Sequence, residues 1–293
     1  MKILILGITG MLGHILFEQF MKDDVIDVYG TARSTEPLQG WVRDEGRHRV
    51  IPDIDADRPG GIESTVTSVE PDMVINCIGI IKQLPIANDP IPSISINSLL
   101  PHRIARVCKS VRSRMIHIST DCVFDGKRGG YSDEEPFSAE DLYGRTKSLG
   151  EVGYEDHCIT IRTSIIGHEL KTGYGLVDWF LGQSGKVRGF TNAVYTGFPT
   201  IEMVRIIRDF IIPDYSISGI YNVSSEPISK YELLTIVADE YGKDIEIESY
   251  DDFKIDRSLN SERFRSRTGY KPPDWRHMIR KMHEHYVASE CYR

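Results

Sequence analysis

Tyr143 and Lys147, in the stretch Asp141-Leu-Tyr-Gly-Arg-Thr-Lys147, are residue types that together can deliver a proton to a carbonyl oxygen. On a helix, residues four apart stack on one face, which sets a phenol beside an ammonium. A cation held next to a phenol favours the phenolate, so the tyrosine's pKa is expected to fall toward working pH. Tyr143 then becomes a proton donor for carbonyl reduction. A Tyr and a Lys at this spacing also arise by chance on surface helices, so the assignment depends on what else the chain supplies.

The N-terminus supplies a place for a cofactor. Lys2-Ile-Leu-Ile-Leu6 is an apolar run of β type, followed at once by Gly7-Ile-Thr-Gly10-Met-Leu-Gly13 and then by a helical pattern of apolar residues at 15, 16, 17 and 20. Strand, glycine turn and helix in that order are the context in which such glycines bind a dinucleotide. They permit a tight turn and close backbone approach, and the helix N-terminus presents free N–H groups to a pyrophosphate. The second strand ends in Thr31-Ala-Arg33-Ser34 with no acidic residue before Glu36. A carboxylate there would bond a ribose 2′-hydroxyl, whereas Arg33 and Ser34 suit a 2′-phosphate, which favours NADP(H) over NAD(H). A strand near Val50 ends at Asp53-Ile54, where a carboxylate can meet the adenine amino group. Cys77-Ile78-Gly79 follow a fourth strand, where small residues let a ribose lie against the backbone.

Composition sets limits on the rest. The 293 residues can bury one large core, or one core and a smaller unit. A net charge of −8 without a long block of one sign argues against nucleic acid or an anionic membrane as main partner. The apolar runs are far short of the roughly 20 residues a membrane span needs, and the N-terminal run leads into glycine rather than a cleavage site, so the expected location is cytoplasmic. Five widely spaced cysteines with no C-x-x-C give neither a disulfide framework nor a zinc site, and no metal is expected.

Strand and helix patterns alternate from residue 1 to about 165, which predicts a Rossmann-type α/β fold with a doubly wound parallel sheet. Prolines 85, 90 and 92 predict a loop before a helix that starts near Ile94, with Asn97 early in it. His117, inside an apolar strand, reads as a core histidine whose hydrogen bonds are satisfied. Beyond Ser164 the glycines multiply and the pattern breaks. Residues 1–165 are expected to be the cofactor domain, rejoined by about 198–226, with 166–197 and 227–293 forming a smaller substrate-binding domain.

With GITGMLG, HISTDCVFDG and YGRTK in this order, the chain resembles the extended short-chain dehydrogenase/reductases, and most closely their dTDP-4-dehydrorhamnose reductase branch. The resemblance implies an active-site triad of Thr120, Tyr143 and Lys147, with Asn97 in support. It implies NADPH-dependent reduction of a 4-keto-6-deoxy nucleotide sugar for deoxysugar and polysaccharide biosynthesis. Gly7, Thr9, Gly10, Met11, Leu12 and Gly13 would hold pyrophosphate. Cys77, Ile78 and Gly79 would line the ribose that Lys147 bonds, Asn97 and Ser119 would also belong to the cofactor site, and Thr163 or Ser164 would sit near the nicotinamide. A homodimer is common in such enzymes.

The chain also departs from that branch. Cys122 stands where a tyrosine is frequent after S-T-D, and Ile165 replaces an aromatic after R-T-S. Both point to a different nucleotide sugar, for which a UDP-linked N-acetylated 6-deoxyhexose is our expectation. Lys82, Asp121, Cys122 and Tyr143 are the expected substrate contacts, with Arg188 and Arg257 as a clamp for the diphosphate. Two other functions fit the same scaffold: a nucleotide-sugar epimerase with retained NAD, and a non-catalytic regulatory subunit.

Overall fold

The computed structural model describes residues 1–292, apart from the side chains of Asp44 and Glu45. Its strands in chain order are β1 (Lys2–Leu6), β2 (Asp27–Thr31), β3 (Val50–Ile51), β4 (Met73–Asn76), β5 (Arg114–Thr120), β6 (Cys158–Thr163), β7 (Ile165–Ile166), β8 (Lys186–Tyr195), β9 (Phe198–Pro199), β10 (Gly219–Asn222), β11 (Ile228–Ser229) and β12 (Glu246–Asp256). Seven of them form an all-parallel sheet in the order β10-β6-β5-β4-β1-β2-β3. The apolar runs of β1, β4 and β6 are buried almost throughout, as strands covered on both faces must be. One face packs on the helices Met11–Met21 and Thr200–Ile206, the other on Gly61–Val69 and Leu100–Ser110. This is the doubly wound α/β architecture expected from the sequence.

From β1 the chain builds outward through β2 and β3, then returns to β4 and builds the other way. The order therefore reverses between β1 and β4, and a crevice opens at the C-terminal ends of those strands. Both the glycine turn after β1 and Cys77–Gly79 after β4 lie in that crevice. A smaller sheet, β11-β8-β12, carries the helix Lys230–Tyr241. The helix Trp275–Ala288 packs against both Lys230–Tyr241 and Thr200–Ile206, and residues 289–292 lie on Met11–Met21. From residue 227 onward the chain thus serves both units.

The helix expected to start near Ile94 begins at Pro90 instead. Asp89 caps it by accepting the Ile91 N–H at 3.0 Å, and Pro90 and Pro92 fall in the first turn, where a missing N–H costs nothing. Residues Ile94–Leu99 form a π-helical segment before the α-helix resumes at Leu100. Pro101 cannot donate to the Asn97 carbonyl one turn back, which leaves room for Gly150: a β-carbon there would fall 2.0 Å from that carbonyl oxygen.

Candidate active site

The helix Leu142–Leu149 positions Tyr143 and Lys147. Asp141 caps it: one carboxylate oxygen accepts the Gly144 N–H at 2.8 Å, and the other accepts from Lys82 Nζ at 2.6 Å. Burial by itself would push the Asp141 carboxyl up, but Lys82 and the Gly144 N–H together hold it below its ordinary value. Lys82 thus anchors the start of the Tyr143 helix to the segment after β4. At the other end of the helix, Glu151 receives Arg162 of β6 through two nitrogens, at 2.8 to 3.1 Å, with both side chains buried. Ser119 donates to the same carboxylate at 2.8 Å, so its hydroxyl, expected at the cofactor, is turned to this ion pair instead.

Thr120 ends β5. Its hydroxyl accepts the Cys122 N–H at 3.1 Å, donates to Asp121 at 3.2 Å, and stands within hydrogen-bonding reach of the Tyr143 phenol. Lys147 Nζ donates to the Ile118 carbonyl at 2.8 Å, and a β-carbon on Gly79 would lie 3.8 Å from it. The structure therefore brings the expected triad together at the sheet's C-terminal edge, next to the crevice.

The expected downward pull of Lys147 on Tyr143 does not prevail. Burial pushes the phenol above its ordinary value, Cys122 and Asp121 add to the shift, and the Thr120 hydrogen bond only partly opposes it. The lysine itself is brought down to about 8 by burial. The spacing of four does place both groups on one helix, but the ammonium is held by the Ile118 carbonyl. Tyr143 stays protonated, which is the form a proton donor needs.

Asn97 is fully engaged in holding the backbone: it accepts the Ile80 N–H at 2.8 Å and donates to the Ile80 carbonyl at 3.1 Å. It fixes the turn that presents Gly79. Thr163 is buried with its hydroxyl toward Met203, while the Ser164 carbonyl accepts the Phe198 N–H. Cys77 is desolvated and its thiol is pushed up to about 12, and Ile78 N–H is fixed by Asn76 at 3.1 Å. Asn76 also donates to His117 Nδ1, but His117 Nε2 is buried without a partner, so this histidine is only half satisfied.

The glycine turn has the shape a pyrophosphate requires. Gly7 adopts φ 87°, and a β-carbon on Gly13 would overlap the Gly7 carbonyl oxygen at 2.2 Å. Gly10 precedes the helix Met11–Met21 with no side-chain cap, so no capping side chain takes up the N–H groups of the first turn, Met11 and Leu12 among them. Thr9 lies within this turn. Arg33 and Ser34 are exposed just past β2, and Arg33 makes no ion pair with the described residues. Asp53 is exposed with φ 60°, and the Ile54 N–H bonds the Ala32 carbonyl, which draws this loop to the end of β2.

On the substrate side, Asp121 is buried, and burial raises its carboxyl against the pull of Arg257. Burial also pushes the Cys122 thiol up to about 12. Arg257 donates to the Phe124 carbonyl at 2.9 Å and faces Asp121. Arg188, expected as its partner in a clamp, is elsewhere. It is exposed and stacked on Tyr250 at 4.7 Å, seven residues before Tyr195 on β8, or roughly 20 Å along the strand. Residues not foreseen at the site are Tyr195 and Lys230, both facing Asp121 and Cys122. No local pattern marks them, because strand register alone brings them there.

Comparison with known proteins agrees with this geometry. A family model described as the RmlD substrate binding domain matches residues 1–288. Methionine adenosyltransferase 2 subunit beta of Danio rerio is 25% identical, covering 82% of this chain and 74% of the relative. Spore coat polysaccharide biosynthesis protein SpsK of Bacillus subtilis is 27% identical over 72% of this chain and 78% of its own. Among solved structures, dTDP-4-dehydrorhamnose reductase of Bacillus anthracis in complex with NADP superposes with a TM-score of 0.78 at 19% identity, covering 97% of this chain and 98% of that one. The chain belongs to the RmlD substrate-binding domain family.

Proposed function

We propose that the protein is an NADPH-dependent reductase of a 4-keto-6-deoxy nucleotide sugar. The observation that carries this reading is the Thr120 hydroxyl within reach of the Tyr143 phenol, with Lys147 one turn on, beside a glycine turn shaped for a dinucleotide. Family membership and the NADP complex of a reductase with the same fold support it. The uncapped helix after Gly10 would hold pyrophosphate, and Arg33 with Ser34 the 2′-phosphate. Ile78, Gly79 and Lys147 would line the ribose. When bound, the cofactor supplies hydride to the carbonyl carbon.

The chain's own residues do the rest. Thr120 turns its proton from Asp121 to the substrate carbonyl oxygen, and Tyr143 transfers its own proton to that oxygen as negative charge develops. Burial keeps Tyr143 protonated until that moment. The Lys82–Asp141 and Arg162–Glu151 pairs fix the two ends of the helix, so the phenol is held in place before substrate arrives. NADPH and NADH consumption against a panel of dTDP-, UDP- and GDP-linked 4-keto-6-deoxy sugars tests the reading. Turnover with at least one sugar, faster with NADPH, is expected; no turnover with any would remove it. Similarity to an adenosyltransferase subunit favours a second reading, a non-catalytic subunit. Tight cofactor binding without turnover would support that one.

A further inference from the structure

His14 lies one turn into the helix Met11–Met21, fully buried, and the proposed chemistry makes no use of it. Its Nδ1 stands 2.9 Å from the Gly10 carbonyl oxygen and its Nε2 stands 2.8 Å from the Tyr292 hydroxyl. A carbonyl oxygen can only accept, so Nδ1 carries the proton and Nε2 accepts from Tyr292. Burial brings the pKa of the ring down to about 4, against the pull of the Gly10 carbonyl and Glu18. The imidazole is therefore neutral at working pH, in the one tautomer that both partners allow.

The Gly10 carbonyl already has a helical partner, the His14 N–H at 3.1 Å, and the side chain adds a second bond to the same oxygen. What that bond controls follows from the peptide plane. The Gly10 carbonyl and the Met11 N–H belong to one trans peptide and point in opposite directions. With the carbonyl drawn down the helix toward His14, the Met11 N–H is aimed out of the helix's N-terminal end, the direction from which an anion is bound. Rotating this peptide by half a turn would present the carbonyl oxygen instead and repel a phosphate. Gly10 makes such a rotation cost little, because a residue without a β-carbon has few barred conformations. Two bonds on the carbonyl oppose the rotation more strongly than one. Tyr292, which orients the imidazole, is itself held in place. Ser289 Oγ donates to Glu18 at 2.8 Å, and His285 meets the same carboxylate at 2.6 Å, one turn beyond His14. The Tyr292 ring stands edge-on to His14 at 5.6 Å.

We propose that His14, oriented by Tyr292, is a positioning residue for the pyrophosphate of the bound dinucleotide, locking the Gly10–Met11 peptide with its N–H outward. The proposal rests on the reading of the glycine turn as the cofactor site. It goes beyond that reading by making residues 285–292, far from the turn in sequence, part of what sets cofactor affinity.

The test is calorimetric titration of the full chain with NADP+, NAD+ and adenosine 2′-phosphate, for the wild type, His14→Phe, His14→Asn and Tyr292→Phe. Adenosine 2′-phosphate has the adenosine and the 2′-phosphate of the cofactor but no pyrophosphate. Loss of one hydrogen bond predicts a rise of about three- to tenfold in the dinucleotide Kd for His14→Phe, with adenosine 2′-phosphate held within about twofold. In His14→Asn the amide nitrogen takes the place of Nδ1, so dinucleotide affinity should return to within about twofold of the wild type. Tyr292→Phe should weaken the dinucleotide less than His14→Phe, because Nδ1 remains and only its orientation is freed. Equal losses for the dinucleotide and adenosine 2′-phosphate in His14→Phe would make His14 a packing residue and overturn the proposal. So would His14→Asn as weak as His14→Phe, or His14→Phe as tight as the wild type. If His14→Phe does not fold, Tyr292→Phe decides: a loss confined to dinucleotides supports the proposal, and no loss, or the same loss for both ligands, overturns it. A wild type that binds no dinucleotide would remove the cofactor reading itself. The expected pattern in a protein that reduces no sugar would remove the reductase reading and leave the role of His14 standing.

Discussion

Two of the chain's buried polar clusters, one under the C-terminal helix and one at the end of β5, are built on opposite plans. In the first, Glu18 accepts from Lys22, Gln19, His285 and Ser289, while His14 spans the Gly10 carbonyl and the Tyr292 hydroxyl. His168 nearby bonds Asp178 and Tyr241. Every side-chain donor and acceptor named there has a protein partner. In the second, the Lys230 ammonium has no hydrogen bond or ion pair among the described residues, the Tyr195 hydroxyl makes none of good geometry there, and Tyr143 has Thr120 within hydrogen-bonding reach. A buried polar group is most stable when paired, so the first cluster is complete as a piece of structure, whereas the second leaves polar groups open. Polar content and burial look alike in both. The state of satisfaction separates them.

The largest effect expected from breaking this contrast lies at Tyr143. Tyr143→Phe keeps the ring in place and removes the proton. Steady-state NADPH oxidation should fall by about a hundred- to ten-thousand-fold, while stabilisation of the protein by NADPH stays within experimental error of the wild type. Full activity in this variant would show that the proton comes from elsewhere.

A change to the satisfied cluster should do the reverse. Glu18→Ala removes the acceptor for four donors and leaves His285 and Ser289 without it, which should cost about 2–4 kcal/mol in urea denaturation. The kcat of the folded fraction should stay within about twofold, since Glu18 touches no residue of the site. Lys230→Met, in the unsatisfied cluster, should cost less than about 0.5 kcal/mol, because the protein gives the ammonium no partner to lose. A stability loss at Lys230 equal to that at Glu18 would erase the distinction between the two clusters.

How far the sequence could anticipate this follows from which contacts are local. The glycine turn, the Tyr143–Lys147 helix and the apolar strands all carry their signal within a few residues, and these were legible. The start of the Pro90 helix was not, because proline signals a break unless a first turn accommodates it. Arg188 and Lys230 are the instructive pair. Both are basic residues of the small unit, and nothing in their neighbours tells them apart. Only the pairing of β11 and β12 with β8 places Lys230 beside Tyr195 and leaves Arg188 at the far end. His117 and Asn97 show the same limit: the element is readable from local pattern, but whether each polar atom finds a partner depends on residues 17 to 49 positions away.

The smallest effect concerns Lys147, which belongs to the site yet is held like a structural group by the Ile118 carbonyl. Burial lowers its pKa from the usual 10.5 to about 8. In the cofactor-free protein the folded state therefore releases a proton near pH 8 that the unfolded chain keeps until about 10.5. Between those values the unfolded state binds more protons, so folding stability gains from this group as pH rises through the window, and below pH 8 the lysine costs stability. Lys147→Met should remove that gain, giving a flatter stability curve between pH 8 and 10 in urea titrations. Equal slopes for the two proteins would show that the ammonium is not desolvated. Activity should respond with the opposite sign, because it is the charged lysine that would bond the ribose. NADPH oxidation should decline above pH 8, and Lys147→Arg, which stays charged, should move that decline upward even though its rate is lower throughout.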